Sequence, residues 1–192
     1  MRYQLSRFGI DIYACEPDQE ARDAARARGY VNVFPSEEDA FRRTWDMIGL
    51  FDVVEHIADD RAFFARAYDA LSAHGRLAVT VPAFPFLWSS HDVSHHHFRR
   101  YTKAVMRQRL EAAGFQIEYE SYWNMLLFFP AALMRLLGRS GESTLSLPRW
   151  LDGFFFAIVA METKWMRLGS LPFGTGLVVI ARKRSYSAND VV

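Results

Sequence analysis

Two short stretches of this chain concentrate the residue types that move protons, hold metals or bind charged groups. The first is Asp52-Val53-Val54-Glu55-His56, where two carboxylates and an imidazole follow one another closely. The second runs Trp88-Ser89-Ser90-His91-Asp92-Val93-Ser94-His95-His96-His97-Phe98-Arg99-Arg100-Tyr101. An unperturbed imidazole titrates near neutrality, so His56 and His91 are candidate general bases, with Glu55 beside them. The histidines and Asp92 could, with Glu55, also ligate zinc or iron. No pair of them is read as sharing a helical face, and consecutive histidines in a loop point in different directions. The pattern therefore assigns no metal site. Arg99 and Arg100 are read as partners of nearby acids or of a substrate phosphate.

The elements around these stretches decide whether they can meet. Asp46–Ile57 opens with a short apolar run bounded by acids, which predicts a buried parallel strand covered on both faces. Ligands in open α/β sheets bind at the carboxyl ends of such strands, which is where Asp52, Glu55 and His56 fall. Ile10–Cys15 is predicted as an earlier strand ending at Glu16, with Pro17 at the first position of a helix over Asp18–Arg28 that Gly29 stops. Tyr30–Phe34 is β-prone and Ser36–Arg43 helical. Asp59 or Asp60 caps a helix with Phe63 or Phe64, Ala67 and Leu71 at helical spacing, running out near His74-Gly75. Arg76–Val81 is a strand, Thr102 caps a helix carrying Val105, Met106 and Leu110, and Gly114 stops it. Phe115–Tyr119 and Leu177–Ala181 are strands. Met1–Phe8 reads as the end of a helix, Gly138–Ser146 as a polar loop, and Ser185–Val192 as a loose tail. This alternation predicts an α/β fold with a doubly wound, three-layer, mostly parallel sheet.

Bulk properties narrow the function classes. The chain has 192 residues, enough for one substantial core with an appended subdomain. Its net charge of +1 gives no basic excess, so no nucleic-acid partner is expected. The single cysteine, Cys15, forms no internal disulfide and suits a reducing, cytoplasmic setting. Aromatics are abundant, with 16 Phe, 8 Tyr and 5 Trp, and they crowd the apolar stretches Tyr122–Leu137 and Leu151–Met161. Neither reaches the roughly 20 uninterrupted apolar residues of a spanning helix. They predict inserted helices, either a cap on the sheet or a surface for a lipid-linked substrate and peripheral membrane contact.

Glu16, an acid at a strand's carboxyl end, suits the two hydroxyls of a ribose, or else only the start of a helix. Taken with the Asp52–His56 turn, Gly75, Pro82 and Arg99-Arg100-Tyr101, this order resembles the class I S-adenosylmethionine-dependent methyltransferases. More narrowly it is similar to a bacterial subgroup with an aspartate-hydrophobic-leucine-glutamate-histidine turn and a later glycine-histidine-any-arginine-arginine-tyrosine motif. Here the first reads Asp52-Val53-Val54-Glu55-His56 and the second His96-His97-Phe98-Arg99-Arg100-Tyr101, with His96 where the motif has glycine.

The resemblance implies a Rossmann-like sheet of seven strands, the first central and the last antiparallel, with S-adenosylmethionine as cofactor. It places Glu16 and Pro17 at the ribose, Phe51 and Asp52 along the cofactor, and Glu55, His56 and His91 at the catalytic junction. Asp92, His97, Arg99, Arg100 and Tyr101 would belong to a substrate loop. The first strand and its glycine-rich turn would precede Met1, so the reading expects an N-terminally truncated core. It divides the chain into an α/β core over 1–121 and 174–184, a helical cap over 122–173, and a tail over 185–192. The function implied is methyl transfer to a small or lipid-linked acceptor. A non-catalytic remnant that docks through its aromatic cap, and a metal-dependent hydrolase built on the His91–His97 loop, stand as alternatives.

Overall fold

The computed structural model describes residues 9–30, 32–136 and 159–184, in two units, Met1–Thr44 and Trp45–Val192. The readings made for Met1–Phe8, Gly138–Ser146, Ser185–Val192 and most of Leu151–Met161 lie outside the described residues.

In the first unit, β1 (Ala14–Cys15) pairs in parallel with β2 (Val33–Phe34). Both are shorter than predicted. Between them runs α1 (Gln19–Ala27), whose N-cap is Asp18; its side chain accepts a hydrogen bond from Ala21 N. Pro17 therefore sits before the cap instead of inside the helix. Gly29, at φ +90°, takes the left-handed turn that ends α1. Ser36 caps the short α2 (Glu37–Phe41).

The second unit carries a four-stranded sheet, built from β3 (Trp45–Phe51), β4 (Leu71–Pro82), β5 (Phe115–Trp123) and β6 (Gly176–Lys183). The spatial order is β3-β4-β6-β5; β3 and β4 are parallel, and β6 is antiparallel to both its neighbours. Three strands thus share one direction and the last opposes them, as the resemblance implied. Among the described residues β3 has no partner on its other edge.

β3 is not covered on both faces. Ile48 and Leu50 are buried while Met47 and Phe51 are exposed, so the strand alternates and one face packs on the core. β4 begins at Leu71, well before the predicted Arg76, because Trp45 N donates to Ala70 O and Lys183 Nζ to Leu71 O. Sheet pairing overrides the helical spacing that Leu71 shares with the preceding residues.

The helix α3 (Asp60–Asp69) is capped by Asp59 and buries Phe63, Phe64 and Ala67. After β4 come α4 (Ser90–Ser94) and α5 (Lys103–Ala112), capped by Thr102. Met106 and Leu110 of α5 are buried as expected, whereas Val105 faces outward. Between β5 and β6 in sequence lie α6 (Met125–Leu136) and a helical stretch that includes residues 159–166. Buried Glu162 accepts from Leu126 N at the start of α6, and Tyr119 Oη donates to Met166 O, tying that stretch to α6 and β5. No helix among the described residues is long and apolar enough to cross a membrane.

Candidate active site

The carboxyl end of β3 is shaped by Asp52, a non-glycine residue at φ +53°. That left-handed turn is held by Asp52 N donating to Thr80 O at 3.0 Å, while Thr80 Oγ1 donates to Asp52 Oδ1 at 3.3 Å. The chain then closes a 3-10 turn over Val54–His56. This turn buries Val54 and Glu55 and leaves His56 exposed.

The histidine segment is not the plain loop expected. Ser89 and Asp92 form a reciprocal capping box at the start of α4, with Ser89 N donating to Asp92 Oδ2 at 2.8 Å. At the other end, His96 N donates to Val93 O and His97 N to Asp92 O, the two bonds of a Schellman motif. His96 supplies its left-handed residue at φ +57°, the position at which the subgroup motif has glycine. Replacing His96 by glycine is therefore expected to raise stability by up to about 1 kcal/mol, read as a higher urea midpoint with unchanged slope. His91 and His95, four residues apart, do share a face, with ring centroids 3.9 Å apart. This corrects the expectation that no histidine pair would.

The Arg-Arg-Tyr end of the segment anchors it. Phe98 N donates to Glu55 O at 2.7 Å, joining the loop backbone to the Val54–His56 turn. Arg99 pairs with buried Asp60 at 2.9 Å and donates to Ala58 O. Tyr101 is fully buried and donates to Asp60 Oδ2 at 3.0 Å. Burial and the Asp60 charge hold its phenol well above the usual range. Arg100 makes two hydrogen bonds to Asp92, at 2.8 and 3.0 Å. Both arginines are thus paired with acids of the chain, one of the two kinds of partner the sequence suggested for them.

These anchors bring Asp52, Glu55, His56, His91, His97 and Arg100 to the wall of one cavity of about 390 Å³. His95, Val81, Pro82, Trp123, Asn124, Thr175 and Gly176 complete it. Asp92 lies behind that wall, 0% exposed, and Arg99 and Tyr101 are outside it. Phe51 is 52% exposed at the strand tip. Glu16 and Pro17 belong to the first unit, where Glu16 Oε1 accepts from Asp18 N at 3.0 Å. Sequence reasoning missed Trp123, Asn124 and Thr175 as lining residues. The Gly174-Thr175-Gly176 turn ahead of β6 was the one signal that pointed there.

Electrostatics separate the acids. Burial pushes Glu55 up to about 7, with the Asp52 charge adding to the effect. Burial would also raise Asp92, but hydrogen bonds from Arg100 and His97 overcome it and bring Asp92 down to about 2. His56 is lowered by burial and by His97, partly offset by a hydrogen bond to the His95 backbone. His91 is lowered by burial and by His95. One acid is thus held ionised as a support, while the other faces the cavity with its charge disfavoured.

A methyltransferase-domain family matches residues 3–120, more than half of the chain. No curated protein matches it in sequence. Among solved structures the chain is similar to a SAM-dependent methyltransferase from Archaeoglobus fulgidus, at 15% identity over 94% of this chain and 80% of that one, with a TM-score of 0.57. It is similar to an S-adenosylmethionine-dependent methyltransferase from Mesorhizobium loti, at 13% identity over 88% and 78%, with a TM-score of 0.55. The cyclopropane synthase MmaA2 from Mycobacterium tuberculosis gives 13% identity over 95% and 73%, with a TM-score of 0.57. Such identities establish a shared fold. With the family match and the strand directions, they make this chain a member of the class I S-adenosylmethionine-dependent methyltransferases.

Proposed function

We propose that the cavity at the carboxyl ends of β3 and β4 is where a methyl group passes from S-adenosylmethionine to a small or lipid-linked acceptor. The observation that carries this reading is Glu55: a carboxylate 1% exposed, lining the cavity, with Oε2 lacking a hydrogen-bond partner among the described residues. Leaving such a group unpaired costs about 1–3 kcal/mol, a cost that a protein serving only as a docking surface has no reason to bear. This favours chemistry over the non-catalytic alternative.

When bound, the cofactor supplies an electrophilic methyl on a sulfonium. An acceptor taking that methyl would have to lose a proton. The protein's part is alignment and proton removal. His56 or His91 takes that proton, and Glu55 lies beside them at the junction with the cofactor.

The residues present fit part of the cofactor. In the second unit the bare ring of Phe51 and the Asp52 tip suit its adenosine; in the first unit, taken by itself, Glu16 follows β1 as an acid of the kind that binds ribose hydroxyls. For the methionine half the described residues supply no glycine-rich turn. The free edge of β3 is where a strand leading into such a turn would pair. Exposed Phe129, Leu133, Met161, Trp165 and Leu168, from α6 and the stretch before β6, supply apolar surface for a lipid-linked acceptor.

Titration calorimetry with S-adenosylhomocysteine tests the reading, on this chain and on one extended ahead of Met1 by a strand and glycine-rich turn. Binding by the extended chain, weakened about 10- to 150-fold by Glu16→Ala, is the expected result, because a hydrogen-bonded charge is worth about 1.5–3 kcal/mol. Absence of binding by both would refute it.

A further inference from the structure

Glu55, His56 and His97 come from two separate segments, and one ligand atom from each lies within 4.8 Å of the others. We propose that these three side chains form a binding site for a first-row divalent cation, with zinc favoured by the donor set. Two imidazole nitrogens and one carboxylate oxygen, with positions left open, are the ligand set of catalytic zinc sites.

Orientation supports the assignment as much as proximity does. His97 Nδ1 lies 3.0 Å from Asp92 Oδ1, an oxygen that also accepts from Arg100 Nε and so serves as an acceptor here. The ring proton therefore sits on Nδ1, and Nε2 carries the lone pair. A carboxylate fixing the far nitrogen of an imidazole is the usual support behind a metal-bound histidine. Asp92 is itself gripped by Arg100 and Ser89, so it is a support and not a ligand. His56 meets His97 edge-on, with ring centroids 4.7 Å apart. The buried Glu55 Oε2, which has no hydrogen-bond partner among the described residues, is satisfied by the cation. Donors about 2.0–2.1 Å from zinc sit about 3.4 Å from one another, so binding draws the three together by side-chain rotation.

The cavity supplies room for the open positions, and Asp52 on its wall adds negative charge. An oxygen of the methyl acceptor is the ligand that fits there. That clause rests on the methyltransferase reading; cation binding by itself does not.

Zinc titrated calorimetrically into the full chain, stripped beforehand with chelator, provides the test, with cobalt(II) absorption reporting the ligand field. One equivalent should bind, and binding should weaken at least 100-fold in His97→Ala and in Glu55→Gln. The glutamine keeps the shape of the side chain, and circular dichroism of each variant checks that it folds. Zinc binding that persists in Glu55→Gln but disappears in His95→Ala would overturn the proposal, placing the ion on the His91–His95 pair. So would the absence of saturable binding. No cofactor or acceptor is present in the titration, so its failure leaves the methyl-transfer reading standing, and failure of cofactor binding leaves the cation site standing.

Discussion

Asp92→Ala is expected to cost the protein about 3–5 kcal/mol, the range for breaking a buried, hydrogen-bonded ion pair from one side. Asp92 accepts from Ser89 N, Ser89 Oγ, His97 Nδ1 and both Arg100 nitrogens that reach it, all while fully buried. Alanine would remove the α4 capping box and strand the Arg100 guanidinium, whose side chain is only 10% exposed. Most of the cost comes from that uncompensated charge. Urea unfolding followed by circular dichroism should show the midpoint fall, whereas Ser89→Ala should cost only about 1 kcal/mol. The sign with pH follows from the depressed acid. Asp92 binds its proton more weakly in the folded chain than in the unfolded one, so its contribution is complete above about pH 4 and is lost as pH falls through about 2. A variant that lost no stability would show that Arg100 finds another partner.

What the sequence made legible was local. Asp59 and Thr102 cap their helices through side chains that accept from the backbone three residues on, as read, whereas Asp18 and Ser36, read as the first residues inside their helices, are caps of the same kind. The strand β3 was also legible, because turn chemistry and acids bound its apolar run. Its burial was not: covering on both faces depends on what pairs and packs around a strand, which its own residues do not encode. The parallel direction of the sheet followed from the alternation of strands and helices, and the antiparallel last strand from the family resemblance.

The site was half legible. Residue types pointed to Glu55, His56 and His91, but nothing in their spacing pairs His56 with His97. That meeting depends on contacts distant in sequence, above all the Phe98–Glu55 backbone bond and the grip of Arg99 and Tyr101 on Asp60. The helix α4 is too short for any periodicity to announce, and only its cap and its Schellman end show how the histidines are aimed. The Arg-Arg-Tyr motif was read as part of a substrate loop, its arginines pairing nearby acids or a substrate phosphate. Arg99 and Tyr101 bind Asp60 and Arg100 binds Asp92 from the cavity wall, which fastens the segment that carries His97.

Glu55→Gln separates function from stability more cleanly than any other change. Methyl transfer should fall by about 10²–10⁴, measured as S-adenosylhomocysteine formed in the extended chain with an acceptor that supports turnover. The neutral amide keeps the volume of the carboxylate, yet it lacks the negative charge that would favour a protonated His56, whose ring nitrogen lies within 4.8 Å, or hold a cation. Stability should move the other way. The charge on Glu55 is buried beside Asp52 without a partner at Oε2, so the folded chain binds that proton more tightly than the unfolded chain does. Between the unfolded carboxylate range near pH 4 and about pH 7, metal-free protein with Glu55 should lose stability as pH rises, because only the unfolded chain releases its proton there. With glutamine that slope disappears, and at pH 8 the variant should be more stable by about 1–3 kcal/mol. Thermal unfolding in chelator at pH 5 and pH 8 reads both effects. Equal activity in the two proteins would remove Glu55 from the chemistry. Equal stability at pH 8 would mean that its buried oxygen is not left unpaired.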